Sequence, residues 1–277
     1  MNTGKIPFFV HIYGKGSVKN LNLDILASNI RDRLPGTGID IREDIFLYAL
    51  SCVLDQEKRR EIVDSLARKL AGIRVLDPAK KGLNPDLIYG EIDYERRKIL
   101  NNSSSSIGVF YDGFELGRIL YSIIPKEEQN LKHLHMIFTN QLFATWDEDD
   151  QRYHTRVAIY GYPSIISITG IVEAPAKPKE YYVAKQFYGR DQLSLTRIKK
   201  GIRGRFIEYN DERMTGVMKG YMMQSIFYHL KGSPFCGDSS CRLFNAHWQE
   251  EVIKAQLGGE YEYCEAHRKI FEEIKSK

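Results

Sequence analysis

The chain has 277 residues, 43% hydrophobic and 12% aromatic, enough apolar material for one large core or two small ones, which excludes disorder as the default state. Forty basic against 36 acidic side chains leave a formal charge of +4, too small a surplus to demand a nucleic-acid partner unless the charges cluster. No apolar run is long enough to cross a bilayer. The opening stretch carries a lysine within its short apolar run and no small-residue cleavage site, so the expectation is a cytoplasmic protein with neither signal peptide nor membrane partner.

In chain order, residues 6–13 read as a strand. Residues 23–34 have the apolar spacing of a helix broken by Pro35 and Gly36, and residues 39–46 read as a second strand, a β-α-β opening that predicts a mixed α/β sheet. Residues 56–70 form an amphipathic helix ended by Gly72. Residues 87–92 read as a strand before a polar loop at 101–106. Cys52, inside an apolar run, reads as a buried small hydrophobe.

Residues 107–111 and 134–139 are short β-branched and aromatic runs with a helix at 115–124 between them, and an acidic loop follows at 147–150. Residues 157–160 and 165–172 read as a strand hairpin. The densest basic run, 197–205, lacks interleaved aromatics and reads as a solvated face, so nucleic acid is an unlikely partner. Asn210 or Asp211 offers an N-cap for a helix over 212–231 closed by Gly232. Met214, Met218 and Met222 recur along one buried face of it, close to Gly216 and Gly220.

Three of the four cysteines fall within 29 residues near the C-terminus, a distribution that suits metal binding in a reducing compartment better than a disulfide framework. Cys236-Gly-Asp-Ser-Ser-Cys241 places two thiols on a short loop, and Cys264-Glu-Ala-His267 adds a second pair. Four such ligands fit one tetrahedral, structural zinc with no position left for water. His247 competes with His267 for the fourth place. His133 and His135 alternate on one strand face and His154 follows the acidic loop, so a separate metal site using them is conceivable.

The order helix, Gly232, three residues, Cys236, four residues, Cys241 and then a late ligand pair resembles the archaemetzincins, zincin-fold metallopeptidases that carry a catalytic and a structural zinc. Their helix reads His-Glu-x-x-His-x-x-Gly-x-x-x-Cys, followed by Cys-x-Met. In that register His229 matches the second helix histidine and Leu243 the methionine. Ser225 replaces the first histidine, Ile226 the general-base glutamate and Phe235 the third histidine, while Cys264-x-x-His267 stands for Cys-x-x-Cys.

The resemblance implies a zincin-like twisted mixed sheet, α+β or mixed α/β in class, with an active-site-type helix beneath it. Residues 1–232 would form the mixed α/β region and 233–277 a zinc-stapled subdomain, as one continuous unit. Peptide hydrolysis needs zinc held by two histidines one turn apart and a glutamate to take the water's proton, and one of these groups survives. His229 is then either a residual pocket group or a core histidine satisfied by a hydrogen bond. The expected function is a peptide- or protein-binding member without peptidase activity and with no catalytic residue. Alternatives are a hydrolase with non-standard catalytic residues and a nucleic-acid-associated zinc protein.

Overall fold

Strand β1 (Phe9–Lys15) is buried on both faces, as the strands of a covered parallel sheet are. In the computed structural model, which describes residues 9–16, 20–84, 86–101, 109–188, 201 and 204–276, β1 pairs in parallel with β2 (Gly38–Glu43) on one side and β4 (His133–Thr139) on the other. The sheet continues through β8 (Ser164–Ser167), parallel to β4, to the short edge strand β7 (Ala158–Ile159), which is antiparallel to β8. A second sheet runs β3 (Phe110–Asp112), β5 (Leu142–Asp147), β6 (Arg152–Arg156). The protein is mixed α/β with mixed sheets.

Helices cover both faces of the larger sheet. On one, Val10, Ile12, Leu134 and Met136 pack against α1 (Leu23–Arg33), α6 (Ile168–Glu173) and α8 (Met214–Lys231), the last preceded in the chain by α7 (Lys179–Tyr188). On the other, Tyr13 and Ile137 pack against α2 (Ile45–Ser51), α3 (Gln56–Gly72) and α5 (Gly113–Ser122), with α4 (Tyr89–Asn101) beside α3. Cys241, Leu243, Val252, Tyr263 and Phe271, from the last forty residues, belong to the same core as α8, so the C-terminal segment shares the main core. That segment carries α9 (Gln249–Ile253), a π-helical turn and α10 (Glu265–Lys275).

Helix starts follow local chemistry: Asn22, Asp44, Asp55 and Asp112 each accept a backbone N–H of the turn they cap. The Asp44 cap overturns the strand expected over 39–46, which stops at Glu43 because Ile45 already begins α2. Residues 87–92 are not a strand. Ile92, Glu95 and Ile99 recur on the buried side of α4, a helical period that six residues are too few to display.

Residues 165–172 split at Ser167, whose Oγ accepts the Gly170 N–H and opens α6. The expected antiparallel pair survives as Ala158 opposite Ile166. Residues 147–150 form the turn of the β5–β6 hairpin. The long methionine-bearing helix begins at Met214 and closes at Gly232 in the left-handed conformation, φ 74°, which glycine adopts without a Cβ clash. Met214, Met218 and Met222 are fully buried. Cys52 is exposed at the end of α2, a correction explained by its position outside the helix's buried stripe.

The loop at 102–106 and all but Gly201, Gly204 and Arg205 of the basic run 197–205 lie outside the described residues. Arg205 pairs with Glu180 at 3.0 Å and Glu250 at 2.7 Å. Among the described residues no helix is long and apolar enough to cross a membrane.

Candidate metal centre and cleft

Cys236 and Cys241 face one point because their loop folds back on itself. The Cys236 N–H donates to Leu243 O at 2.8 Å and the Cys241 N–H to Asp238 O at 3.0 Å. Cys264 is the N-cap residue of α10, and the first turn of that helix carries His267 round to it. The four ligand atoms lie within 4.8 Å of one another.

Cys236 Sγ is 3.8 Å from Cys264 Sγ, and His267 Nδ1 is 3.0 Å from Cys264 Sγ and 3.7 Å from Cys241 Sγ. A tetrahedral zinc with ordinary bond lengths would separate two sulfurs by about 3.8 Å and a sulfur from a nitrogen by about 3.5 Å. The set therefore fits one ion of that size. Burial pushes the Cys236 and Cys241 thiols up and the His267 imidazole down, so each is neutral at neutral pH until an ion takes over the thiolate charge. The Phe227 ring stands edge-on to His267, 5.0 Å between centroids, and shields the site from the α8 side. His247 is elsewhere, in the wall of the cleft described next.

That cleft, about 540 Å³, is lined by β7, by Tyr221 and Gln224 of α8, and by Phe235 and Phe244. Tyr160 donates its hydroxyl to Gln224 Oε1, and Gln224 Nε2 donates to Phe244 O at 3.1 Å, so Gln224 is tied to both. Burial holds the Tyr160 phenol far above its usual pKa and keeps it a donor. Phe235 packs edge-on to Tyr160 at 5.8 Å.

The helix positions matched to a catalytic motif do not line this cleft. Ser225 and Ile226 are 0% exposed, Ile226 inside the α1–α8 core. His229 is half-buried, and its Nε2–H donates to Leu131 O at 3.0 Å, while desolvation lowers its pKa. His154, in the cleft wall, pairs with Asp150 at 2.8 Å.

A second convergence escapes sequence reasoning almost entirely. His11 of β1 stands opposite His135 of β4, with Glu128 of the 3₁₀ turn Lys126–Glu128 reaching both, and one ligand atom of each lies within 4.8 Å of the other two. Of this group only His135 gave a signal, through its alternation with His133. Burial foremost, then the neighbouring positive charge of Arg42, lowers the His11 pKa; burial and His11 push His135 down to about 4.

The structure thus combines a mixed sheet with an antiparallel edge strand, a long helix packed against one face and a Cys₃His set that can bind one ion. The chain belongs to the probable metallopeptidase family (DUF6775), whose family model matches residues 7–274. No curated protein and no solved structure matches it.

Proposed function

We propose that the chain is a divergent, archaemetzincin-like member of its family that binds an extended peptide or protein segment in the β7 cleft without cleaving it. One zinc ion, held by Cys236, Cys241, Cys264 and His267, serves as a structural staple. Three thiolates and an imidazole favour zinc over oxygen-seeking cations such as magnesium. With four protein ligands the ion has no position for water, and its contribution is to fix the C-terminal segment. Reduced thiols suit a cytoplasmic setting.

The observation that carries this reading is which α8 side chains line the cleft. Tyr221 and Gln224 line the cleft, whereas Ser225 and Ile226 do not line it and His229 bonds to Leu131 O. A neutral amide already committed to Tyr160 and Phe244 neither holds a metal nor takes a proton from water. The edge strand β7 supports binding: an extended segment laid beside it would gain main-chain hydrogen bonds, with Tyr160, Phe235 and Phe244 as apolar walls.

The test is incubation of metal-loaded chain with a tryptic digest of a denatured protein, read by mass spectrometry. The expected result is retention of a subset of peptides at unchanged mass, weakened by Gln224→Ala. Metal-dependent cleavage that Gln224→Ala abolishes would overturn the reading.

A further inference from the structure

On the sheet face opposite α8, away from both the cleft and the cysteine set, we infer a second metal site, built from His11, Glu128 and His135 and suited to a divalent transition-metal ion. Glu128 Oε2 lies 4.0 Å from His11 Nε2 and 4.0 Å from His135 Nε2, and all three atoms are within 4.8 Å. Ligands at ordinary bond lengths would stand about 3.4 Å apart around a tetrahedral ion, so closing on one requires each to move by about half an ångström.

Two imidazoles and one carboxylate are the donor set of open, borderline-metal sites, taken by zinc or ferrous iron rather than by calcium. The parallel pairing of β1 with β4 places His11 and His135 side by side, their rings stacked at 4.7 Å, on backbone that cannot drift. His11 and His135 are 4% and 0% exposed.

The groups behind the ligands are those that orient metal-bound histidines. His11 Nδ1 lies 3.3 Å from Asp40 Oδ2, so its N–H points at a carboxylate and Nε2 is left with its lone pair. His135 Nδ1 is 3.0 Å from the Tyr13 hydroxyl, and its Nε2 lies 3.3 Å from Glu128 O, a contact that an ion at Nε2 would replace. Arg42 donates to both oxygens of Glu128, at 2.7 and 2.6 Å, and to Asp40 Oδ2 at 2.6 Å. Two carboxylates thus share one guanidinium beside His11 and His135, and the surplus negative charge is what a divalent ion would offset. His133 Nδ1, 2.9 Å from His11 Nε2, occupies the lone pair an ion would take and must yield it.

The experiment is cobalt titration of the chelator-stripped full chain, followed by visible and near-ultraviolet absorption. Two equivalents are expected, one with thiolate-to-cobalt charge transfer from the cysteine set and one with weak d–d bands alone. Glu128→Gln should remove the second and leave the first, and Asp40→Asn, at a half-exposed position that spares the fold, should raise the second Kd about 10- to 100-fold. Uptake of one equivalent, wholly with the thiolate band, overturns the site; so does a second equivalent that both variants leave unchanged. Cys264→Ser separates the two claims, since it removes the thiolate band and spares the second ion.

Discussion

Cys264 Sγ and His267 Nδ1 lie 3.0 Å apart because one residue caps α10 and the other sits in its first turn. A helix terminus thereby presents two ligands at a fixed separation, and the Cys236–Cys241 loop closes on them from the other side. An ion free at a thousand times its Kd would add about 4 kcal/mol to the folded state. Chelation should therefore lower the thermal midpoint, Cys264→Ser should remove that difference, and amide exchange should accelerate through 236–275. An unchanged melting curve on chelation would contradict the staple.

Restoring the motif residues should fail. Ser225→His and Ile226→Glu place an imidazole and a carboxylate at two positions that are 0% exposed and do not line the cleft. Burying such groups without partners costs several kcal/mol. The expected outcome is a double variant that melts far below the wild type and cleaves no peptide. A folded variant with peptidase activity would show that the helix face has been misassigned.

Lys98 should make stability rise in alkaline solution. Its ammonium donates to Tyr111 at 2.8 Å, beside the Arg74–Glu95 pair, and burial foremost lowers its pKa to about 8 from the usual 10.5. Between those values the unfolded chain keeps a proton that the folded chain has lost, so stability increases with pH across that window, by about 3 kcal/mol in all. Below pH 8 both states are protonated and the penalty is present in full. Urea unfolding at pH 7 and pH 10 should show this gain in the wild type and a much smaller one in Lys98→Met; equal gains would assign it elsewhere.

Two glycines should respond oppositely to alanine. A Cβ at Gly170 would stand 2.5 Å from Arg156 O and 3.1 Å from Val157 Cα, backbone atoms beside the cleft that cannot step aside. Gly170→Ala should cost about 1–3 kcal/mol or more. At Gly216 the close atom among the described residues is the Leu257 Cδ2 methyl, at 2.9 Å, on a residue 39% exposed. That tip can rotate, and alanine favours the helix by about 1 kcal/mol, so Gly216→Ala should be neutral or stabilising. Denaturant midpoints decide both.

What the sequence made legible was local. The cysteine pairs and the closure at Gly232 depend on residues a few positions apart, and each stands where its spacing places it, whereas the cap expected at Asn210 or Asp211 fails: Asp211 accepts the Arg213 N–H at 2.9 Å, and the helix opens only at Met214, after Arg213, which makes no side-chain cap bond. The strand expected over 87–92 failed because six residues cannot distinguish a buried strand from the first turn of α4. The β5–β6 hairpin was missed because its turn, Asp147 to Asp150, carries no glycine or proline signal. His11, Glu128 and His135 were beyond reach for a different reason. More than 110 residues separate the first from the others, and only the β1–β4 pairing, a matter of topology, brings them together. Likewise the register of a motif does not tell which way Ser225 and His229 point; that follows from which face of α8 the sheet covers.

The most direct measurement is an anomalous difference map at the zinc edge, from crystals of the full chain purified without chelator. The account predicts a peak enclosed by Cys236, Cys241, Cys264 and His267, and no peak in the cleft beside Tyr160 and Gln224. A zinc peak in that cleft, or none at the cysteine set, would contradict it.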